Sequence, residues 1–489
     1  MVYTVRCDII QHLKLIPRLP GFYFASCYYI RKQQAKENAL SAQSHTSKAS
    51  GRCLAGRLTV TAAMTAAFLL AGTIPLPGVD YEAFRGMSGA PVDSHLRMLA
   101  LGLLPVINAF VIIEIIALII PRLRPLRISG PKRRKPLFVA VLILALPVAA
   151  VQACGIAAYL ESVNAFGAPV VENPGWFFRL QVMITLVAAM YMLVCIAAVT
   201  SRHGLGNGFS VLIFVGIMHH LSYSLTYSYQ AFNSGLLSPF SMMIGLAAYG
   251  AVVAVSCLVF LTQRKATSAS VAVEMPTSGI IPIKLSLSVL LFPATLASFG
   301  VPVDRLARKL VPGTALYLWI EIILVVLLCA VLSFIFYYPK AVNAFASGLR
   351  GNAGGADSGA VGALKAAIPI SVAFLCVILI ADHVTVRLGL TPLGLSLVIA
   401  TAIVLDLVSE AKAVSSMGRS AAAWEVHRLY ALRPLRRALQ EKGIESFARA
   451  ANHRKLLYFF GPYIPVEIQV PSERAKEAQE IIEKTIHPH

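Results

Sequence analysis

An all-α membrane protein is the fold class this sequence predicts, with ten transmembrane helices in two inverted five-helix halves and a small α/β appendage behind them. Three observations predict it. The 489 residues are 57% apolar and only 13% charged, with a mean hydropathy of +0.71, far from the balance of a soluble domain. Apolar stretches long enough to cross about 30 Å of hydrocarbon recur along the chain. Two short patterns then repeat at nearly one spacing.

In chain order, spans are expected near 57–74, 98–120, 137–160, 179–200, 209–224, 242–261, 285–300, 315–337, 366–381 and 393–408. Basic residues set their direction. With the N-terminus in the cytoplasm, the inside segments carry nearly all Lys and Arg, among them Arg122, Arg124, Arg127, Lys132, Arg133, Arg134 and Lys135 in one loop. The loops 161–175 and 219–241 carry none, as the positive-inside rule requires of exported loops. Arg305, Arg308 and Lys309 run against the pattern. Both termini are therefore expected in the cytoplasm and the chain in an inner or cytoplasmic membrane. The formal charge of +20 is accounted for by topology, not by a nucleic-acid module.

The predicted divisions are a cytosolic segment 1–56, a ten-helix domain 57–410 with halves 57–225 and 242–410, and a cytosolic α/β tail 411–489. Residues 1–50 lack the charged, apolar and cleavage-site order of a cleaved signal peptide. In the tail, helices are expected around Arg433–Ala451 and Ser472–Lys484. Val466–Val470 alternates like a half-buried strand between them. The eight cysteines are far apart with no CxxC pair and are expected to be small packing residues rather than metal ligands or disulfides.

The repeat pairs Leu103–Ala109, which contains Pro105, with Leu291–Ala297, which contains Pro293. It also pairs Gly208–Ile213 with Gly394–Ile399, both Gly-x-Ser before an aliphatic run. Pro105 to Gly208 is 103 positions and Pro293 to Gly394 is 101. Five helices per half is an odd number, so the halves have opposite topology. Proline inside a spanning helix frees a carbonyl, which is tolerated where backbone lines an enclosed cavity. Helices two, five, seven and ten are therefore the expected path-lining elements.

Longer motifs carry a resemblance. Gly175–Met183 is followed by Gly204-Leu205-Gly206-Asn207-Gly208-Phe209-Ser210-Val211-Leu212-Ile213-Phe214-Val215-Gly216-Ile217. Ile74–Asp80, Leu101–Ala109, Ile281–Lys284 and Tyr338–Lys340 add shorter matches. Together, over roughly 57–412, these resemble the SecY family, the channel subunit of the protein translocase, with Gly204, Gly206, Asn207 and Gly208 in its signature at the start of helix five. The resemblance implies a protein-conducting channel that passes unfolded polypeptide across the membrane and sideways into lipid. It implies a pore ring including Leu103, Ile107, Phe209, Ile213, Ile399 and Thr295 or Leu296, where a narrow apolar constriction excludes water. It implies a plug over Tyr81–Leu96 and a lateral gate at Asn108, Glu114, Gln152 and Ser286, whose buried amides would hold the seam closed by hydrogen bonds. Glu114, Glu321 and Asp406 are intramembrane carboxylates, expected by default to face the pore or the gate, with Asp406 near enough to the cytoplasmic end to reach water.

The same resemblance implies SecE-like and SecG-like small subunits, SecA or the ribosome as motor, signal peptides and unfolded chains as clients, and lipid around the bundle. Docking residues would be Arg264, Lys265, Lys340 and Arg350, but both loops that carry them are trimmed relative to the family's pattern. The tail is extra to that pattern, and its Arg433, Arg436 and Arg437 are a candidate contact for RNA or anionic lipid, or a solvated basic face. There is no P-loop, no HExxH and no GxSxG pattern, so no catalytic residue, cofactor or metal is expected. Two alternatives stay open: an accessory paralogue with altered docking, and a secondary transporter. The transporter predicts charge at the repeated midplane positions, which here are aliphatic.

Overall fold

The computed structural model describes residues 50–80, 97–120, 131–162, 164–165, 168–261, 273–298, 305, 309–310, 313–337, 357–417, 419–426, 429–457 and 466–486. Ala49–His489 form one compact unit. Ten helices fall where spans are expected: α1 (Ser50–Ala71), α2 (Leu104–Ile119), α3 (Pro131–Ser162), α4 (Trp176–His203), α5 (Gly208–Asn233), α6 (Pro239–Leu261), α7 (Ile281–Ser298), α8 (Ala315–Phe336), α9 (Asp357–Arg387) and α10 (Gly394–Met417). Among the described residues eight of these are long and apolar enough to cross a membrane, and α2 and α7 contribute shorter apolar stretches. Those two are the helices with the repeated proline; Pro105 lies in the first turn of α2, where its missing N–H costs nothing, and Pro293 lies inside α7.

Several helices outrun their apolar windows. α1 begins at Ser50 instead of 57, α5 ends at Asn233 instead of 224, and α9 covers 357–387 instead of 366–381. Helical hydrogen bonding does not stop where lipid stops, and polar residues continue the coil into water. The tail likewise starts later than expected, because α10 runs on to Met417.

The packing repeats pair for pair. In the first half α2 packs on α3, α3 on α4, α4 on α5, and α1 on both α4 and α5; in the second, α7 packs on α8, α8 on α9, α9 on α10, and α6 on both α9 and α10. Each half has its own core, around Leu186, Met190 and Phe110 in one and Val325, Leu375 and Ile378 in the other. The repeated glycines follow from this geometry. A Cβ on Gly208 would fall 1.9 Å from the Ala197 carbonyl of α4, and one on Gly394 would fall 2.8 Å from the Asp382 carboxylate of α9. At both places the incoming helix starts against the equivalent neighbour; at Gly208 the Ala197 backbone leaves no room for a side chain, and at Gly394 the Asp382 side chain would have to move aside.

Motif residues join elements at their ends. Glu161 at the end of α3 accepts from Arg179 Nε and Nη2 of α4 at 2.9 and 2.6 Å and from the Gly175 N–H at 2.8 Å. After α1, Gly78 takes φ +80° beside Phe178, and the Asp80 N–H donates to Val170. A two-residue hairpin, β1 (Asn164–Ala165) and β2 (Ala168–Pro169), lies at the same end.

The appendage consists of β3 (Ser420–Val426), α11 (Leu432–Glu441), β4 (Phe447–Arg449), α12 (Ala451–Leu456), β5 (Val466–Pro471) and α13 (Ala475–Ile486). Its sheet is antiparallel in the order β3-β5-β4. The expected strand at 466–470 is the central one. The single helix expected over Arg433–Ala451 is instead α11, β4 and the start of α12, broken at Gly443, which takes φ +65°. β3 had no sequence expectation, since its run of alanines does not alternate. Val466, Ile468 and Val470 are fully buried with Leu435, Leu439, Ala478 and Ile482 in a core separate from the bundle.

Candidate functional site

The signature residues build the junction between α4 and α5. Asn207 caps α5, its Oδ1 accepting from the N–H groups of Phe209 and Ser210 at 3.1 and 3.3 Å, and the Gly208 N–H donates to Ser201 Oγ at 2.7 Å. Gly206 takes φ +82°. Its N–H donates to Glu410 Oε2 of α10 at 3.0 Å. Gly204 is buried, and a Cβ there would fall 2.6 Å from Thr61 Oγ1 of α1. The signature is therefore a tight turn that ties α1, α5 and α10 together at one end of the bundle, here called the mouth.

The expected ring residues fall at the start of α2 and on α5, α7 and α10. Leu103 and Phe209 are buried, while Ile107, Ile213 and Ile399 are half-buried. Leu103, Ile107 and Phe209 belong with the first core and Ile399 packs against the second. The side chains of Thr295 and Leu296 lie outside those described, as does that of Glu114, and so do the whole plug segment 81–96 and the docking residues Arg264, Lys265, Lys340 and Arg350. At the expected gate, Ser286 is fully buried but donates to Ile283 of its own helix at 2.9 Å. Gln152 Oε1 is buried without a hydrogen-bond partner among the described residues, and Asn108 is half-buried. Glu321 is buried inside the second half.

Sequence reasoning missed the part of the site with the most polar contacts. Asp406 is half-buried and turns to the tail: its two carboxylate oxygens accept from the N–H groups of Asn452 and His453, each at 2.9 Å. They cap α12, which has no side-chain cap of its own and begins after Ala450 in the left-handed region. Glu410, 2% exposed, pairs with Arg57 at 3.4 Å and Arg449 at 3.1 Å. Arg449 also donates to the carbonyls of Ser201 and Gly206 and pairs with Glu467 at 3.5 Å. Burial works against its charge, but Glu410 and Glu467 outweigh burial and raise its pKa. Glu274, just before α7, pairs with Arg433 at 2.7 Å and Lys455 at 2.9 Å. Burial pushes its carboxyl up, and the two cations more than offset that, leaving it below the usual carboxylate range. His453 Nδ1 lies 2.7 Å from Ser210 Oγ. Its imidazole is pushed down to about 3 by burial, with Arg454 adding to the shift. The one available signal was the pair Asp406 and Glu410 at i and i+4 near the end of a span, facing a tail rich in arginine.

The basic stretch of α11 is partly used up in this way. Arg433 faces Glu274, Arg436 donates to the Ser446 carbonyl, and Arg437 pairs with Glu441 on the open surface. Among the described residues no group of acidic, histidine or cysteine side chains could hold a metal ion, and the described cysteines are free.

Comparison with known proteins bears on the bundle. A family model described as SecY matches residues 98–408. The SecY translocase subunit of Rickettsia felis is 30% identical over 288 residues, covering 52% of this chain and 66% of that protein. That of Rickettsia bellii is 28% identical over 333 residues, covering 60% and 75%. That of Escherichia coli K12 is 25% identical over 327 residues, covering 58% and 73%. A solved SecY structure concerned with the plug domain and the closed state aligns at 14% identity with a TM-score of 0.47, covering 74% of this chain and 92% of that one. With the family model matched over more than half its length and the signature turn built at the start of α5, this chain belongs to the SecY family.

Proposed function

We propose that the chain is the channel subunit of a protein translocase, conducting unfolded polypeptide between its two five-helix halves. The observation that carries this reading is the pair-for-pair repeat of helix packing, with aliphatic residues at the repeated positions of α2, α5 and α10. An aliphatic constriction suits a seal, since narrow apolar pores exclude water; a solute transporter needs coordinating groups there. Leu103, Ile107, Phe209, Ile213 and Ile399, with Thr295 or Leu296, form the ring in this reading. Tyr81–Leu96 form the plug, and Asn108, Glu114, Gln152 and Ser286 line the gate. The mouth faces the cytoplasm, the side favoured by the basic loops.

The chain performs no chemistry in this reading. SecA or a ribosome supplies the energy, and small SecE-like and SecG-like subunits brace the halves. The test is reconstitution of the tagged, co-purified complex into vesicles with a signal-bearing unfolded substrate. Protected substrate inside the vesicles is the expected result. Absence of protected substrate, with small solutes taken up instead, would replace the channel with a transporter.

A second reading, the specialised paralogue, is favoured by the appendage seated on the mouth, where docking partners are expected to approach. Failure to replace a depleted housekeeping SecY, together with intact assembly with a SecE-like subunit, would select it.

A further inference from the structure

The segment from Ala450 to Leu457 lies where the two halves meet. Towards the first half, His453 meets Ser210 at 2.7 Å and the adjoining Arg449 donates to Ser201 at 3.0 Å. Towards the second, Asn452 and His453 donate to Asp406, Lys455 pairs with Glu274, and the Leu456 carbonyl accepts from the Ile280 N–H at 3.0 Å. Ala450 is part of the first core, Leu456 is fully buried in the second, and Leu457 packs against both. The fit against the second half is close enough that a Cβ on Gly279 would fall 2.1 Å from the Leu456 carbonyl.

Helical spacing relates this contact to the expected ring. Asp406 is seven residues beyond Ile399, two turns along the same face of α10, or about 10 Å towards the mouth. Ser210 is three residues before Ile213, one turn towards the mouth on α5. Asp406 and Ser210, two of the residues that hold α12, thus stand on stripes that carry ring residues, so α12 is held above the expected ring.

Two features favour release of this contact over a permanent brace. The appendage has its own core and joins α10 just after Met417, so it is a separable unit, although its contact with the bundle combines charged pairs with apolar seats at Ala450, Leu456 and Tyr430. The docked state also carries a local cost, since His453 is fully buried while its Nε2 has no hydrogen-bond partner among the described residues.

We propose that residues 450–457 are a latch built into the chain, closing the mouth by binding both halves across the entry path and holding the channel inactive until the appendage lifts away. The inference rests on the channel reading above. It is tested with the full chain carrying Ser210→Cys and His453→Cys, reconstituted in vesicles, with each single variant as the control for the native cysteines. Oxidation should lower substrate transport at least tenfold in the double variant alone, and reductant should restore it. Oxidised chain with the bond formed that transports as fast as reduced chain would overturn the latch while leaving the channel standing. Transport in neither redox state, nor in the single variants, would remove the channel and the latch together. Independently of transport, trypsin should cut after Arg454 or Lys455 at least tenfold faster in Asp406→Lys than in the unmodified chain. Equal rates would show that the segment is not held and would also overturn the proposal.

Discussion

The mouth and the expected gate treat buried polar groups in opposite ways. At the mouth Asp406, Glu410, Glu274 and Arg449 have charged or backbone partners from a different element. At the gate Ser286 turns to its own helix and Gln152 Oε1 has no hydrogen-bond partner among the described residues. A hydrogen-bonded gate is the sequence expectation, yet among the described residues the polar contacts that bind one half to the other are concentrated at the mouth, some direct, as from Arg57 and the Gly206 N–H to Glu410, and some through the appendage. The physical reason is dielectric. Charged groups near the end of a bundle can offset their desolvation by pairing across an interface with good geometry, whereas amides deep among hydrocarbon contribute little to association, about 0.6 kcal/mol on average.

The largest expected effect therefore comes from the mouth. Glu410→Ala leaves Arg449, whose side chain is only 10% exposed, buried with Glu467 as its one remaining carboxylate among the described residues, and removes the acceptor of the Gly206 N–H. Losing one partner of a buried pair costs roughly 3–5 kcal/mol, and the loss should appear as a lower unfolding temperature in detergent together with faster proteolysis of the appendage. A shift below about 1 kcal/mol would mean that the charges at the mouth are not coupled. Asp406→Asn keeps the shape but puts an NH2 group in place of one of the two oxygens that accept from the start of α12, an expected cost of about 1–3 kcal/mol in docking. Protection of the 450–457 backbone against hydrogen exchange reads this directly, and it should fall there before it falls in β5.

Acid should loosen the same contact through His453. Its docked pKa of about 3 lies below its ordinary value of 6.5, so the released segment binds the extra proton and stability is lost as pH falls below 6.5. The contribution is complete above 6.5 and fades towards 3. At pH 5.5 the loss relative to pH 7.5 is about 1.4 kcal/mol, one pH unit of linkage below the free pKa. Asp406 on the His453 backbone, Arg454 beside the ring, and the Lys455–Glu274 pair act in the same place. The quantity to measure is therefore the difference in pH dependence between the unmodified chain and His453→Asn. Parallel curves would exclude the imidazole as the source.

Much of this architecture was legible because lipid imposes simple rules. Apolar length located all ten helices, and the paired prolines and Gly-x-Ser patterns located the repeat that the packing then displays. Gly208 and Gly394 are legible as repeated letters but not as close contacts, since Ala197 and Asp382 lie on the preceding helix and only the turn between helices brings them near. The tail was less legible for the same reason. β3 reads as an alanine run and becomes a strand only because β5 offers it a partner, and α12 is helical only because a carboxylate of α10 caps it. Asp406 could be flagged as an unusual charge, but its partner is two backbone N–H groups, which every residue but proline carries and no sequence pattern marks.

The smallest expected effect probes the other side of the comparison. Gln152→Leu replaces an amide whose carbonyl oxygen is buried without a partner among the described residues by an apolar group of similar size. If the amide holds no seam in the resting chain, removing it relieves an unmet desolvation cost, and stability should be unchanged or rise by up to about 1 kcal/mol. Ser286→Ala, which gives up only a bond within α7, should stay within about 0.5 kcal/mol. These are the results that leave the mouth as the polar junction between the halves. Destabilisation by more than about 2 kcal/mol in Gln152→Leu, measured by the same thermal scan as Glu410→Ala, would return the seam to its expected role, because only an amide with a cross-helix partner loses that much on truncation to a hydrocarbon.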